Sequence, residues 1–325
     1  MKTQHKRYHE LFLFNLLLAL LLLTIPAKLC FASRENPKKP FLFKERLDPS
    51  LKPLKPMIQG FIDQGQVPGV ELILIRKGTI VFWEALGYTD VDFEKPFRKN
   101  TIVFIGSITK PFSASTLMLL VDEGRLSLDD PVSDYLPAFS NLKLKNGNPA
   151  PSPTIRQLLS HTSGFEGLKE MSPDGEYASR EMSLTLEESV NRISELPLMA
   201  KPGTRFSYGG ISFNVAGRVV EVVSGQPFET FMKQRLLDPL GTTDITFRPT
   251  PEQGERISAI SKPAPWGGLL TLMRFDANAD RTLCLVGGGL YGTALDVAKF
   301  FQMQLNDGIF GSRRILSKQA VREMQ

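Results

Sequence analysis

The first hydrophobic pattern along the chain predicts a β-hairpin. Residues 70–75 are apolar at every position except Glu71, and residues 79–85 are again mostly apolar after the turn pair Lys77 and Gly78. Two short apolar runs joined by a glycine turn are typical of antiparallel strands, and their nearly continuous apolar character indicates a largely buried sheet. A short helix that ends at Gly65 precedes them. We therefore expect the folded part to begin near Met57, with this helix and hairpin.

A helical pattern replaces the strand pattern in the middle of the chain. Residues 107–121 predict a helix that stops at Gly124, and three more helices are expected between Thr154 and Leu237. Strand signals return at residues 244–247 and 282–286, and a helix follows over about residues 295–305. Strands, then helices, then strands predict an α/β fold: a sheet domain made of residues 57–106 and 240–325, with a helical domain inserted over residues 107–239.

The first 56 residues carry two patterns of a different kind. A basic N-terminus precedes an apolar run over residues 16–25, which is too short to span a bilayer and is typical of an export signal. Residues 1–32 are therefore predicted to be removed, with no membrane span left, and the protein to be periplasmic or secreted. A lipid anchor on Cys30 is the alternative. Residues 33–56 contain five prolines among alternating charges and predict a tether.

Charge restricts the class of partner. The chain has a formal net charge of +5, but residues 1–32 contain four basic and one acidic side chain, and residues 33–56 contain seven and three. The rest of the chain therefore has a net charge of −2. Nucleic-acid binding depends on a surplus of basic groups facing phosphates, so no nucleic-acid partner is expected.

Histidine and cysteine counts restrict the chemistry. After removal of the signal, His161 is the only histidine and Cys284 the only cysteine. This excludes a zinc site built from several histidines and an internal disulfide, and a serine–histidine–aspartate triad could use only His161. No metal or organic cofactor is expected.

A serine and a lysine three positions apart open the helix predicted over residues 107–121. Ser107 and Lys110 would share one helical face, which brings the amine next to the hydroxyl. Burial disfavours a charged amine, and a neutral one can accept the hydroxyl proton while free N–H groups at the helix start hold the oxyanion. The alternative is that Ser107 only caps the helix. Gly106 and the apolar residues 114–121 favour the catalytic interpretation, because they allow close approach of a substrate beside a buried helix.

With these residues the sequence resembles the class C β-lactamase and penicillin-binding-protein family of serine hydrolases, which includes esterases and D-amino-acid peptidases. The segments that carry the resemblance follow the family's order and are residues 67–69, 106–112, 124–132, 155–164 and 288–291. The resemblance implies an antiparallel sheet flanked by helices, with Ser107 in the cleft beside the helical insertion. It also implies acyl transfer through an acyl-enzyme, with a small-molecule or peptidoglycan-like substrate.

The family's second motif, Tyr-x-Asn, is matched in part. The resemblance gives Tyr208 a share of the base role of Lys110 and the protonation of the leaving group. Gly210 stands where the family has asparagine, so an amide hydrogen bond to the substrate is lost and esters are favoured over amides and β-lactams. The expected substrate-binding positions are Gly106, Gly210, Gly288 and Gly289.

The family's third motif, Lys-Thr-Gly or His-x-Gly on a short strand, has no counterpart before Gln325. Ser317 has the character of an N-cap, with a helix starting after it. We therefore expect an incomplete version of a longer hydrolase, nearly inactive, whose hairpin at residues 70–85 exposes an apolar edge. A catalytically impaired, penicillin-binding-like protein of the cell envelope is the corresponding alternative.

Three other patterns have competing interpretations. Residues 287–292 fit Gly-x-Gly-x-x-Gly and suggest dinucleotide binding, but only 33 residues follow and no acidic residue ends a second strand. His161 lies in a helix-end pattern closed by Gly164, which favours a structural role. The acidic residues 122, 123, 129 and 130 are expected to form a solvated turn rather than a carboxylate pair for sugar hydrolysis.

Overall fold

A computed structural model describes residues 43–92, 94–167, 181–265 and 267–325, which all belong to one structural unit. The predicted export signal and the first ten residues of the predicted tether lie outside the described residues. No helix within these four ranges is both long enough and apolar enough to cross a membrane.

The predicted hairpin forms the main sheet. The strands are β1 (Lys44–Glu45), β2 (Gly69–Arg76), β3 (Thr79–Gly87), β4 (Val103–Phe104), β5 (Ile260–Pro263), β6 (Leu269–Met273), β7 (Tyr291–Gly292), β8 (Ile309–Phe310) and β9 (Arg313–Arg314). They pair in the order β1-β3-β2 and as β4–β7, β5–β6 and β8–β9. Lys77 and Gly78 both have positive φ, 50° and 72°. This is the geometry of a two-residue turn whose twist matches that of its strands.

The helical middle of the chain and the mixed helix–sheet fold are confirmed. The helices are α1 (Leu54–Asp63), α2 (Thr109–Asp122), α3 (Ile155–Leu159), α4 (Leu186–Ser194), α5 (Ile211–Ser224), α6 (Phe228–Met232), α7 (Asp238–Leu240), α8 (Pro251–Gly254), α9 (Ala294–Leu305) and α10 (Lys318–Glu323), with π-helical Lys233–Leu237 before α7. Thr154 and Thr185 begin α3 and α4 with capping boxes. Ser317 caps α10, as its sequence predicts.

Residues 43–56, which their composition assigns to the tether, are part of the folded unit. Lys44 and Glu45 pair in parallel with the start of β3, and the N–H groups of Arg46 and Asp48 donate to carbonyl oxygens of the same strand at 2.9 and 2.8 Å. These backbone bonds order the segment despite its proline content. The folded part therefore begins before Met57.

The strands predicted over residues 244–247 and 282–286 do not form. In the first segment only Thr246 makes a strand-like bridge, to Tyr291, while the backbone N–H of Asp244 donates to the Asp296 carboxylate at 2.8 Å. In the second, Val286 bonds to side chains instead of a neighbouring strand. The hairpin β5–β6, which the pattern missed, supplies strands in this part of the chain instead.

Helix α2 lies in the centre of the hydrophobic core. Nine of its residues are buried, which explains why its apolar residues cover every face. Phe112 of α2 stacks on Phe300 of α9, with ring centroids 3.8 Å apart, and α2 also packs against α5. The core therefore fixes the helix that carries Lys110 in its first turn.

Glu71 of β2 occupies an unusually apolar position for a carboxylate. Among the described residues β2 pairs only with β3, and its other side faces a groove lined in part by Val103, Ile105 and Val297. Burial raises the pKa of Glu71 to about 7, although Trp83 donates its indole N–H to the carboxylate at 2.8 Å. The folded protein thus favours the neutral acid.

We expect Glu71 to make folding stability depend on pH. The pKa of Glu71 in the folded state lies above the ordinary value of 4.5. The stability that protonated Glu71 contributes to the fold is therefore complete below pH 4.5, and it is lost as pH rises through about 7. After discounting for solvent screening, the loss amounts to about 1 to 2 kcal/mol. Glu71→Gln keeps an acceptor for Trp83 and should remove this part of the pH dependence. Urea unfolding of both proteins at pH 5 and pH 8 measures it; identical pH dependence would contradict the assignment.

Candidate active site

Ser107 lies in a tight turn in front of α2. It is the middle residue of a 3₁₀ turn, Gly106–Ile108, that continues directly into the helix. Gly106 has a φ of 51°, a conformation that suits glycine. Neither helical start is capped by a side-chain hydrogen bond, and Ser107 is exposed. The capping alternative is therefore wrong, and the hydroxyl is available for chemistry.

The Lys110 amine lies between Ser107 and a backbone carbonyl. Its Nζ is 3.4 Å from Ser107 Oγ and donates to the carbonyl oxygen of Gly287 at 2.6 Å. It also lies 4.7 Å from the ring centroid of Tyr208 and 5.4 Å from that of Phe213. The three-residue spacing predicted this proximity to Ser107, but it did not reveal the carbonyl that holds the amine in place.

Tyr208 completes a contiguous group of three polar side chains. It lies in the segment before α5, and its hydroxyl hydrogen-bonds with Ser107 and Lys110. Burial acts to raise its pKa, but these two hydrogen bonds and the positive charge of Lys110 outweigh it and lower the pKa below the ordinary value. A phenol with a lowered pKa can accept a proton from Ser107 and return it later.

Ser107 and Lys110 line a small cavity of about 150 Å³, whereas Tyr208 is not among its described lining residues. The expected positions Gly106, Gly210 and Gly288 line it, and so do the unpredicted residues Phe104, Gly209, Asn214, Leu285 and Gly287. Gly289 is not among the described lining residues, which corrects that assignment. A Cβ at Gly289 would come within 3.0 Å of Leu285 and Phe247, so this glycine is needed for packing.

Lys110 is the only charged side chain among the described residues that line this cavity. The other lining residues are Ser107, five glycines, two apolar side chains and the buried Asn214. The arrangement therefore offers a nucleophile, a proton acceptor and a neutral space beside them.

His161 packs against the site but makes no described contact with Ser107. Its ring centroid is 4.6 Å from that of Tyr208, and its carbonyl accepts a hydrogen bond from Ser207 N at 2.8 Å. Burial, followed by the charge of Lys110, lowers its pKa to about 4. His161 itself has a φ of 57° just after α3, where the pattern assigned the closing turn to Gly164. It is a neutral residue of the helix end.

The first two residues of the glycine-rich segment 287–292 border this cavity. The Gly287 carbonyl holds Lys110, Gly288 lines the cavity, and Gly292 pairs with Val103 in the β4–β7 ladder. These contacts account for the pattern without a dinucleotide. The acidic residues 122, 123, 129 and 130 bond to neighbouring side chains and backbone. The described residues include no group of histidine, cysteine and carboxylate side chains suited to a metal ion.

Comparison with known proteins agrees with this geometry. The sequence profile of the β-lactamase family matches residues 54–325. The D-alanyl-D-alanine-carboxypeptidase/endopeptidase AmpH of Escherichia coli K12 is 28% identical over 74% of this chain and 58% of its own length. Esterase EstB of Burkholderia gladioli is 33% identical over 55% of this chain and 47% of its own. Among solved structures, EstCE1, described as a hydrolase with promiscuous acyltransferase activity, has a TM-score of 0.69 and 26% identity, covering 83% of this chain and 75% of its own.

Proposed function

Because this chain belongs to the β-lactamase family of serine hydrolases, we propose that it hydrolyses carboxylic esters through an acyl-enzyme on Ser107. The observation that carries the proposal is the contact among Ser107, Lys110 and Tyr208, which joins a nucleophile to two groups able to manage its proton. The N-terminal sequence pattern supports action outside the cytoplasm, in the periplasm or as a secreted protein.

The geometry supports a two-step acyl transfer. In the first step Ser107 Oγ forms a bond to the carbonyl carbon while its proton passes to the Tyr208–Lys110 pair. Collapse of the tetrahedral intermediate breaks the bond to the leaving oxygen, which takes the proton from Tyr208. In the second step a water attacks the acyl-enzyme, gives its proton to the same pair, and releases the acid as Ser107 regains its hydrogen. The backbone N–H of Ser107 is the group suited to hold the oxyanion, because the N–H groups of Ile108 and Thr109 already donate to carbonyl oxygens of residues 105–107.

Esters fit the cavity better than amides or β-lactams. An asparagine at position 210 would offer an amide to the substrate, whereas Gly210 offers none. Penicillins and D-alanyl-D-alanine peptides also carry a carboxylate, and the described lining provides no cation for it beyond Lys110, whose amine already bonds to Gly287. EstB and EstCE1 are named as an esterase and a hydrolase, while AmpH is named as a peptidase, so relatives of both kinds exist.

Intact-protein mass spectrometry tests the proposal. The protein is exposed separately to a fluorophosphonate, a p-nitrophenyl ester and a penicillin. We expect a fluorophosphonate adduct and turnover of the ester, with slower or no reaction with the penicillin. A protein that forms no adduct with any of the three would support the second candidate function, a catalytically impaired penicillin-binding-like protein of the cell envelope, which Gly210 favours.

Gly210→Asn should shift the preference toward amides. Gly210 has a φ of −97°, which asparagine can adopt, so the variant is expected to fold. One new hydrogen bond should raise amide or β-lactam cleavage relative to ester cleavage by about 2- to 10-fold. The ratio of kcat/KM for a cephalosporin to that for a p-nitrophenyl ester measures the shift. The inference from Gly210 fails if the parent already cleaves the cephalosporin faster.

A further inference from the structure

The backbone that holds Lys110 is irregular, yet its peptide groups are anchored one after another. Val286 N donates to Asn214 Oδ1 at 3.2 Å, and the carbonyl oxygen of the same residue accepts from Ser113 Oγ at 2.6 Å. The next peptide group carries the Gly287 carbonyl that holds Lys110, and its N–H, on Gly288, donates to the Leu285 carbonyl at 3.0 Å. Three successive peptide planes are thus fixed.

Ser113 and Lys110 hold this backbone from the same helix. They are three positions apart on α2, so their side chains share one face of the helix. Ser113 donates to the carbonyl oxygen of Val286, and Lys110 donates to the next carbonyl oxygen, that of Gly287. Asn214 approaches from α5, and its own amide donates to Ser189 Oγ at 3.3 Å. Ser113, Asn214 and Val286 are 3%, 2% and 1% exposed, so water does not compete for these bonds.

The Val286 side chain and Gly287 also pack closely against α5. A Cβ at Gly217 of α5 would lie 2.4 Å from Val286 Cγ2, so glycine is required where the Val286 side chain meets this helix. A Cβ at Gly287 would lie 3.2 Å from that of Phe213. The backbone of residues 286–288 is therefore fixed by hydrogen bonds and by close packing together.

We infer that Ser113 and Asn214 are positioning residues for Lys110, acting through the backbone of residues 286–288. The inference rests on the proposed function, in which the Lys110 amine takes part in proton transfer from Ser107. If the hydrogen bond from Ser113 or the one to Asn214 is lost, the Gly287 carbonyl can rotate or shift. The Lys110 amine then leaves its place beside the Ser107 hydroxyl. Displacement of a reacting group by about 1 Å can cost up to about 100-fold in rate.

Ser113→Ala tests the inference, and Ser115→Ala is its matched control. Both serines are buried in α2, 3% and 0% exposed, but Ser115 bonds to Gln304 and Met324 instead of the 286–288 backbone. Ser113→Ala should lower kcat for a p-nitrophenyl ester by about 10- to 100-fold while KM changes by less than about 3-fold. Ser115→Ala should leave kcat within about 3-fold of the parent value.

Two further variants separate positioning from a loss of stability. Ser113→Thr retains the hydroxyl and should recover most of kcat, even where the extra methyl group lowers Tm. Asn214→Ala should lower kcat as Ser113→Ala does, and the double variant should lose less than the two single effects combined, because both act through one backbone segment.

The inference is overturned if Ser113→Ala keeps its kcat, if Ser113→Thr falls as far as Ser113→Ala, or if the double variant is fully additive. An active parent with any of these results refutes only the positioning role; a parent without ester turnover or labelling refutes the proposed function itself.

Discussion

Ser107→Ala is expected to abolish fluorophosphonate labelling and to lower ester hydrolysis by at least about 10³-fold. The exposed hydroxyl of Ser107 is the one that contacts both Lys110 and Tyr208, and without it no acyl-enzyme can form. Because the serine side chain does not cap the helix, its loss should leave Tm nearly unchanged. Peptide mapping of the labelled protein and the initial rate with a p-nitrophenyl ester measure the two effects.

A second serine variant controls for non-specific labelling. Ser160 is near the end of α3 and bonds to the hydroxyl of Thr162 at 2.9 Å, so Ser160→Ala should retain both labelling and hydrolysis. Ser163 is buried and shares a hydrogen bond with Ser212 at 2.7 Å, which protects it from the reagent. A label found on Ser160 or Ser163 would mean that the catalytic group has been assigned to the wrong serine.

Lys110→Met should reduce kcat/KM for the ester by about 10²- to 10⁴-fold, because it removes a group from proton transfer while keeping a side chain of similar length. The same variant should slow fluorophosphonate labelling of Ser107, since that reaction also requires an activated hydroxyl. Stopped-flow measurement of the labelling rate and steady-state hydrolysis provide the two readings, and circular dichroism reports whether the fold is kept.

Tyr208→Phe tests the second group proposed for proton transfer, and a variant of a surface lysine is the control for Lys110→Met. Tyr208→Phe removes the hydroxyl that bonds to Ser107 and Lys110, so we expect a loss of similar size. The double variant of Lys110 and Tyr208 should be little worse than either single one, because residues that act as a unit are not additive. Lys145→Met, at an exposed position, should have no effect. A Lys110→Met protein within about 10-fold of the parent would exclude the lysine from proton transfer.

Several local features of the chain were predictable because neighbouring residues determine them. The turn pair Lys77 and Gly78 between apolar runs indicated the hairpin β2–β3, since two-residue turns and strand alternation act over a few positions. The spacing of Ser107 and Lys110 placed the amine beside the hydroxyl, and the helix carrying Lys110 is buried as its apolar character indicated. The N-cap at Ser317 was visible for the same reason.

Composition predicted the structure less well where a segment makes its hydrogen bonds to residues far away in the sequence. The prolines and charges before Met57 suggested a tether, but β3 provides backbone hydrogen bonds that order residues 44–48. Residues 282–286 had the apolar character of a strand, yet Val286 bonds to Ser113, 173 positions away, and to Asn214, 72 positions away. A hydrophobic run indicates burial but not what the backbone bonds to.

The sequence by itself therefore determined the hairpin, the buried helix and the serine–lysine pair at its start, because each depends on residues within one turn or one strand. Only the tertiary structure decided how that pair is completed. The family resemblance had assigned Tyr208 to this pair, and the tertiary structure placed its hydroxyl beside Ser107. The tertiary structure also placed the Gly287 carbonyl, 177 positions from Lys110, at 2.6 Å from the amine. It also assigned Gly289 to packing and Asn214 to the cavity wall. These contacts depend on how α2, α5 and the 286–288 backbone pack together, and no local pattern in the chain records that packing.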